Sequence, residues 1–252
     1  MNRTCRSLLL FIRSIVVMAT LTAATCPTYD PSPPPILGAP AFTSHAIVAR
    51  HLQGSWRETI HLTWRAPHND TLGITEYRLL RKVAPESSYT LKVRNIPDSA
   101  TEFYDRIDDF GFPTPPATSY KWIFYKLVAF DTLGRGGDTC TDSLVLLWQP
   151  ALNAPASDTF QTNLFAWHFL SKAGDQISSR LLFWDSTNLL FESKPTDTAF
   201  AGEYEVVADT MQLPDSLLPL KPGATYYWGV KVSVFGGRNP ESLAIRKLYV
   251  LP

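Results

Sequence analysis

The chain predicts an all-β protein of immunoglobulin-like sandwich class, and three observations carry that expectation. From Ile36 onward, apolar residues recur in short alternating runs, with Gly, Pro, Asn and Asp clusters between them. No window has the 3.6-residue periodicity of a helix long enough to build a domain. The separations Trp64 to Trp167 and Ala129 to Val232 are both 103 residues, the size of one sandwich, so the pattern reads as two tandem units.

The clearest run is Ile60 to Pro67, in which Ile60, Leu62 and Trp64 share one face and His61, Thr63 and Arg65 the other. A polar turn at His68 to Gly73 leads into Ile74 to Arg81. Further strands are expected at Tyr89 to Val93, Glu102 to Tyr104, Ile123 to Phe130 and Ser143 to Trp148. These residues resemble the fibronectin type III family: Leu62-x-Trp64-x-x-Pro67 is similar to its second strand, and Tyr77-x-Leu79-x-Arg81 to its third. Tyr125-x-Leu127-x-Ala129-x-Asp131 followed by Gly134 is similar to its sixth. The long Asp105 to Ser119 segment, with Pro113, Pro115 and Pro116, departs from the family's short Pro-Gly turn.

The second half repeats the signature, with Phe165-x-Trp167-x-Phe169 and Leu220-x-Pro222-Gly223-x-x-Tyr226-x-Trp228-x-Val230-x-Val232. The resemblance implies that the Tyr226 hydroxyl bonds back to the preceding turn. Ile177 to Phe191 and Tyr204 to Val207 align less clearly. The expected organisation is 1–25 export signal, 26–35 proline-rich tether, 36–148 first sandwich, 149–157 linker and 158–252 second sandwich.

The export signal rests on Arg3, Arg6 and Arg13, which are the charges before Asp30 and flank the apolar runs Leu8 to Ile12 and Ile15 to Ala24. Arg13 interrupts a segment already short of the roughly 20 apolar residues of a spanning helix. An amphipathic organelle-targeting peptide is the competing reading. Leu21-Thr22-Ala23-Ala24-Thr25-Cys26 resembles the lipobox of bacterial lipoproteins, which implies a lipid anchor on Cys26. The same residues also allow ordinary cleavage after Ala24. Pro27, Pro31, Pro33, Pro34 and Pro35 then predict a stiff, extended stalk. The expected location is the cell envelope, facing periplasm or cell surface.

Charge gives no support to a nucleic-acid partner: 23 basic residues balance 23 acidic ones, and charged residues make up 18% of the chain. No HExxH, GxSxG, GxxxxGK or GxGxxG is present, so no catalytic residue, metal or cofactor is expected. Of three cysteines, Cys5 lies in the signal and Cys26 at its end, leaving Cys140 as an expected buried thiol. His61 and His168 each adjoin the Trp of a strand and should face solvent, as should Asp105, Asp108 and Asp109, which lack the alternating ligands of a calcium loop. Asn69-Asp70-Thr71 is a glycosylation sequon, meaningful in a eukaryotic secretory route. Gly134-Arg135-Gly136-Gly137-Asp138 occupies the place of the adhesive tripeptide in the family's integrin-binding member, but the extra Gly makes it a glycine-rich turn.

Strand parity gives the candidate binding face. If Ile123, Tyr125, Leu127 and Ala129 enter the core, Trp122, Phe124 and Lys126 point outward beside Arg78 and Leu80 of the third strand. Such an apolar and basic patch suits docking of an envelope protein or stacking on a glycan. Cover by the 105–119 segment is the competing expectation. The function expected is a non-catalytic binding, adhesion or scaffold module of the envelope. The alternative is a carbohydrate-binding accessory to a polysaccharide-degrading system, with Trp122, Trp56 or Trp184 exposed in a row.

Overall fold

The computed structural model describes residues 37–68, 73–113, 120–171, 176–199, 205–235 and 240–252. The expected signal, Cys26, the tether, the sequon, Tyr204 and residues 114–119 lie outside them. Strands dominate, in chain order β1 (Ala41–Leu52), β2 (Ser55–Arg65), β3 (Ile74–Val83), β4 (Thr90–Pro97) and β5 (Glu102–Arg106). Then come β6 (Tyr120–Asp131), β7 (Gly136–Leu147), β8 (Ala151–Ala154), β9 (Leu164–Ser171) and β10 (Gln176–Trp184). The last are β11 (Leu189–Glu192), β12 (Thr196–Ala199), β13 (Glu205–Gln212), β14 (Thr225–Phe235) and β15 (Glu241–Tyr249). Two single-turn 3-10 helices, Ile107–Asp109 and Asp215–Leu217, complete the described elements.

Alternation fixes which face each strand buries. In β2, Ile60, Leu62 and Trp64 are buried, and in β6 so are Ile123, Tyr125, Leu127 and Ala129. Trp64 and Trp167 occupy β2 and β9, the second strand of each half, with 2% and 0% exposure. Ala129 and Val232 both lie on the sixth-position strands β6 and β14, apart from the broken edge β11/β12. The 103-residue offset therefore relates equivalent places in two sandwich-like layer pairs. The expected Tyr226 bond is present, with its hydroxyl accepting from the Lys221 N–H at 3.1 Å.

The two halves share one sheet. Nine strands join in the order β11-β10-β14-β15-β7-β6-β3-β4, with β12 also paired to β10. The join is a single parallel pair, Glu241 with Leu146. A three-stranded sheet, β1-β2-β5, covers one face at the first end, and a second, β13-β9-β8, covers the opposite face at the other. Each small sheet overhangs the join. The first core takes in Leu182, Trp184, Tyr227 and Leu243 from the second half, and the second core takes in Leu147 and Tyr120 from the first.

The overhang depends on the β1–β2 hairpin, which turns tightly at Gln53 and Gly54, both with positive φ (50° and 82°). Near its tip, the Trp56 indole stacks on Trp184 with centroids 5.5 Å apart and donates to the Asp185 carbonyl at 2.9 Å. The Tyr227 hydroxyl donates to the Gly54 carbonyl at 3.1 Å. Further along, the peptide groups of Ile47 are held by side chains of the other half: its N–H donates to Glu241 at 2.9 Å and its carbonyl accepts from Lys231 Nζ at 3.1 Å. Lys231 and Glu241 pair at 3.0 Å, so both ends of this clamp are themselves satisfied. Glu58 accepts the Ile245 N–H at 3.0 Å, and burial pushes its carboxyl above the usual range.

Three features differ from the expectations drawn from sequence. Residues Ala151–Ala154, within the stretch read as linker, form β8 and pair with β9. β1 was not anticipated because among its residues only Ile47 is buried, leaving no alternation to read. Asp105 is not in a solvated loop: it is fully buried at the end of β5. Arg81 Nη1 reaches its two carboxylate oxygens at 2.9 and 2.7 Å, and the Tyr125 hydroxyl donates to it at 2.8 Å. Lys92 lies 3.3 Å away and also contacts Asp109, whose carboxyl that hydrogen bond holds low. Burial, then the Asp105 charge, pushes the Tyr125 phenol well up, which keeps it a donor.

The buried ion pair gives one expected outcome. Asp105→Asn removes the carboxylate that Arg81, Lys92 and Tyr125 share but leaves both cations Asp109, and should cost about 1.5–3 kcal/mol in urea unfolding, the worth of a hydrogen bond to a charged group. A second concerns Gly137, where an added Cβ would stand 2.5 Å from the Leu37 carbonyl oxygen. That carbonyl accepts the Asp138 N–H at 3.0 Å, so Gly137→Ala should force the entering chain away and lower the stability by roughly 1–3 kcal/mol.

Candidate binding face

The antiparallel pairing of β3 and β6 sets Lys82 opposite Phe124, Leu80 opposite Lys126, Arg78 opposite Val128 and Glu76 opposite Phe130. All of these except the core-facing neighbours between them point to the outer side of the first-half sheet, which β1-β2-β5 does not cover. The five residues expected from parity, Trp122, Phe124, Lys126, Arg78 and Leu80, are therefore brought together, each half-buried. Trp122 and Phe124 lie on successive outward positions with ring centroids 5.9 Å apart and planes 17° from parallel.

Cations interleave with these rings. Lys82 Nζ sits 4.5 Å from the centroid of Phe124 and 5.2 Å from that of Tyr89, while Lys126 Nζ lies 4.8 Å from Tyr89. The Arg78 guanidinium stands 3.7 Å over Phe130 and donates through Nε to Glu76 at 2.7 Å, which fixes its plane. Leu91 of β4, opposite Leu80, is 40% exposed at one margin, and Thr139 and Thr141 of β7 are exposed at the other. Lys82, Tyr89 and Phe130 are members that the sequence reading did not name. Lys82 and Phe130 follow from the same parity, and Tyr89, the first residue of the strand expected at Tyr89 to Val93, lies just before β4 with the parity of the outward Leu91.

The described part of the 105–119 segment packs elsewhere. Phe110 and Phe112 lie against the first core, and Lys121 Nζ donates to the carbonyls of Phe110 and Gly111 at 2.8 and 2.9 Å. Burial lowers the Lys121 pKa. The candidate row of Trp56 and Trp184 is absent, because these two stack on each other under the hairpin and Trp184 is 3% exposed. His61 and His168 do lie off the core face, but with partners: His61 meets Glu102 at 2.9 Å and stacks on Tyr104, and His168 meets Asn153. Arg135 of the glycine-rich turn is tied to Asp131 at 2.8 Å, and that carboxyl is held low first by the Arg135 backbone N–H.

An open groove between the start of β1 and β7 is lined by Phe42, His45, Cys140 and Asp142. His45 Nδ1 meets Asp142 at 2.7 Å, and this hydrogen bond raises the imidazole pKa. Burial pushes the Cys140 thiol up, the direction opposite to that of an activated nucleophile. Among the described residues, no three His, Cys, Asp or Glu side chains gather to hold a metal ion. No described helix is long and apolar enough to cross a membrane.

Neither a protein-family model nor a curated protein matches the sequence. Among solved structures, the chain is similar to a crystal structure of the chicken CNTN1 FN1-FN3 domains, with 15% identity and a TM-score of 0.34. That match covers 86% of this chain and 67% of the other.

The His45–Asp142 pair has a defined pH window. The raised His45 pKa contributes stability fully present below its unfolded value and lost as pH rises through the folded one. Asp142 is pushed up by burial, but His45 outweighs this and leaves the carboxyl low, so its contribution is lost as pH falls through the folded value. The stability difference between the parent and His45→Gln should be greatest between the ordinary carboxylate and imidazole values, roughly pH 4 to 6.5, and shrink as pH rises through the raised His45 value. Thermal unfolding across pH 3 to 9 measures it; a flat difference contradicts the pairing.

Proposed function

We propose that the protein is a non-catalytic binding module of a bacterial cell envelope, built from tandem fibronectin type III-like sandwiches. It is exported by residues 1–25, anchored by a lipid on Cys26 and held off the membrane by the proline-rich stretch to Pro35. Its ligand contacts the outer face of β3 and β6 through Trp122, Phe124, Lys126, Arg78 and Leu80. The observation that carries this reading is the position of that face. The small sheets cover opposite sides of the long sheet at its two ends, while this aromatic and basic surface lies on the side of the first end that β1-β2-β5 does not cover. Extensive contacts under the hairpin make the two halves suited to a stiff spacer or scaffold as well as to adhesion.

A glycan partner is the second reading, favoured by the aromatic side chains that share this face with the lysines, Phe124 and Tyr89. Both readings share the face and part on the chemistry of the ligand.

Two measurements test the proposal. Intact mass and membrane fractionation of the exported chain should show a lipid-sized increment and membrane association, both lost in Cys26→Ala. An unmodified, soluble parent chain overturns the anchor. In sedimentation with envelopes of the producing bacterium, Cys26→Ala should co-pellet, and adding Trp122→Ser and Phe124→Ser should weaken this at least tenfold while unfolding remains cooperative. Undiminished co-pelleting removes the face from the binding site.

A further inference from the structure

Two ammonium groups converge on one ring of the proposed face. Lys82 and Lys126 come from adjacent strands, and both direct Nζ to Tyr89, at 5.2 and 4.8 Å from its centroid. Neither makes an ion pair with a carboxylate among the described residues. The nearest acids along these strands are engaged: Glu76 holds Arg78, and Glu86 accepts the Val83 N–H at 3.1 Å. Two ammonium groups that share one ring and no carboxylate make a local positive patch, to which an anion is drawn.

The surroundings select among anions. Beside the lysines, Phe124 adds apolar ring surface, with the Trp122 ring stacked on it at 5.9 Å. Across β6 stand the exposed hydroxyls of Thr139 and Thr141. Backbone groups in the middle of this face are spent in the β4-β3-β6-β7 ladders. An extended acidic peptide lying there would find no backbone partner for its own N–H and carbonyl groups. A polysaccharide needs no open strand edge, carries apolar C–H faces for the rings, and exchanges hydroxyl hydrogen bonds with threonines and water.

We infer that this face binds an acidic polysaccharide, with the carboxylate of a uronic acid unit at Lys82 and Lys126 beside Tyr89 and a neighbouring sugar ring against Phe124. The inference rests on the outer face being the ligand surface, and names its ligand.

The test uses the full chain with three probes: polygalacturonate, the same polymer fully methyl-esterified, and poly-L-glutamate. Titration calorimetry at two salt concentrations should show polygalacturonate binding that weakens with salt, at least tenfold weaker binding of the ester, and little binding of polyglutamate. Lys82→Gln with Lys126→Gln should lose at least tenfold, and Lys82→Arg with Lys126→Arg should keep most of the affinity, all with unchanged unfolding temperature. Equal binding of the ester overturns the anion site but leaves the aromatic face as a neutral-glycan platform. Polyglutamate binding as tight, with the same lysine dependence, assigns the face to an acidic polypeptide and overturns the glycan. Binding retained in the Gln variant, or absent for all three polymers, overturns the inference. The broader reading is judged apart, by whether envelope sedimentation still depends on Trp122 and Phe124.

Discussion

The structure depends on the fit of one hairpin across a seam. A single backbone pair, Glu241 with Leu146, joins the two halves of the long sheet, and by itself would hold little. The β1–β2 hairpin closes the seam by burying Leu182, Trp184, Tyr227 and Leu243 on a side of the second-half sheet that an isolated sandwich would show to water. The Lys231–Glu241 clamp on Ile47 makes this burial possible. It satisfies an edge peptide that would otherwise enter an apolar junction unpaired. On the opposite side, Tyr120 and Leu147 reach into the second core in the same manner.

That seam also explains how much of the fold was legible in the sequence. β2, β3 and β6 were readable because each buries one face, so their apolar residues alternate. β10 and β15 were harder to place because the hairpin covers the face that should be polar. Leu181 to Trp184 and Ser242 to Ala244 are buried without interruption, a pattern that a local reading cannot distinguish from other buried runs. β1 failed for the opposite reason, since nearly all of it is partly exposed. The Trp64 and Trp167 spacing survived because those residues sit at the centre of each core, away from the seam.

The candidate face was legible in its parity and not in its chemistry. Alternation places Trp122, Phe124, Lys126, Arg78 and Leu80 on one side of two neighbouring strands. Which cation meets which ring depends on register, which places Lys82 and Lys126, from two different strands, about the Tyr89 ring. Asp105 shows the same limit. Three aspartates in five residues read as a solvated cluster, yet the first ends β5 pointing inward, where Arg81 and Tyr125 happen to converge. Arg81 and Lys92 compensate for its burial, and neither is close to it in sequence.

The entry of the chain at Leu37 bears on how the molecule would carry force. Leu37 is buried, its carbonyl holds the Asp138 N–H of β7, and Gly137 leaves the space for that contact. A pull on the preceding residues would reach β7 there, before it reaches the start of β1. β7 is laddered to β6 over most of its length, so tension entering there would be shared along that pair. Shear loads many hydrogen bonds at once, whereas peeling an edge strand loads them singly. An attachment at this point would make the β6–β7 ladder the mechanical element, so that load and the outer face share a strand.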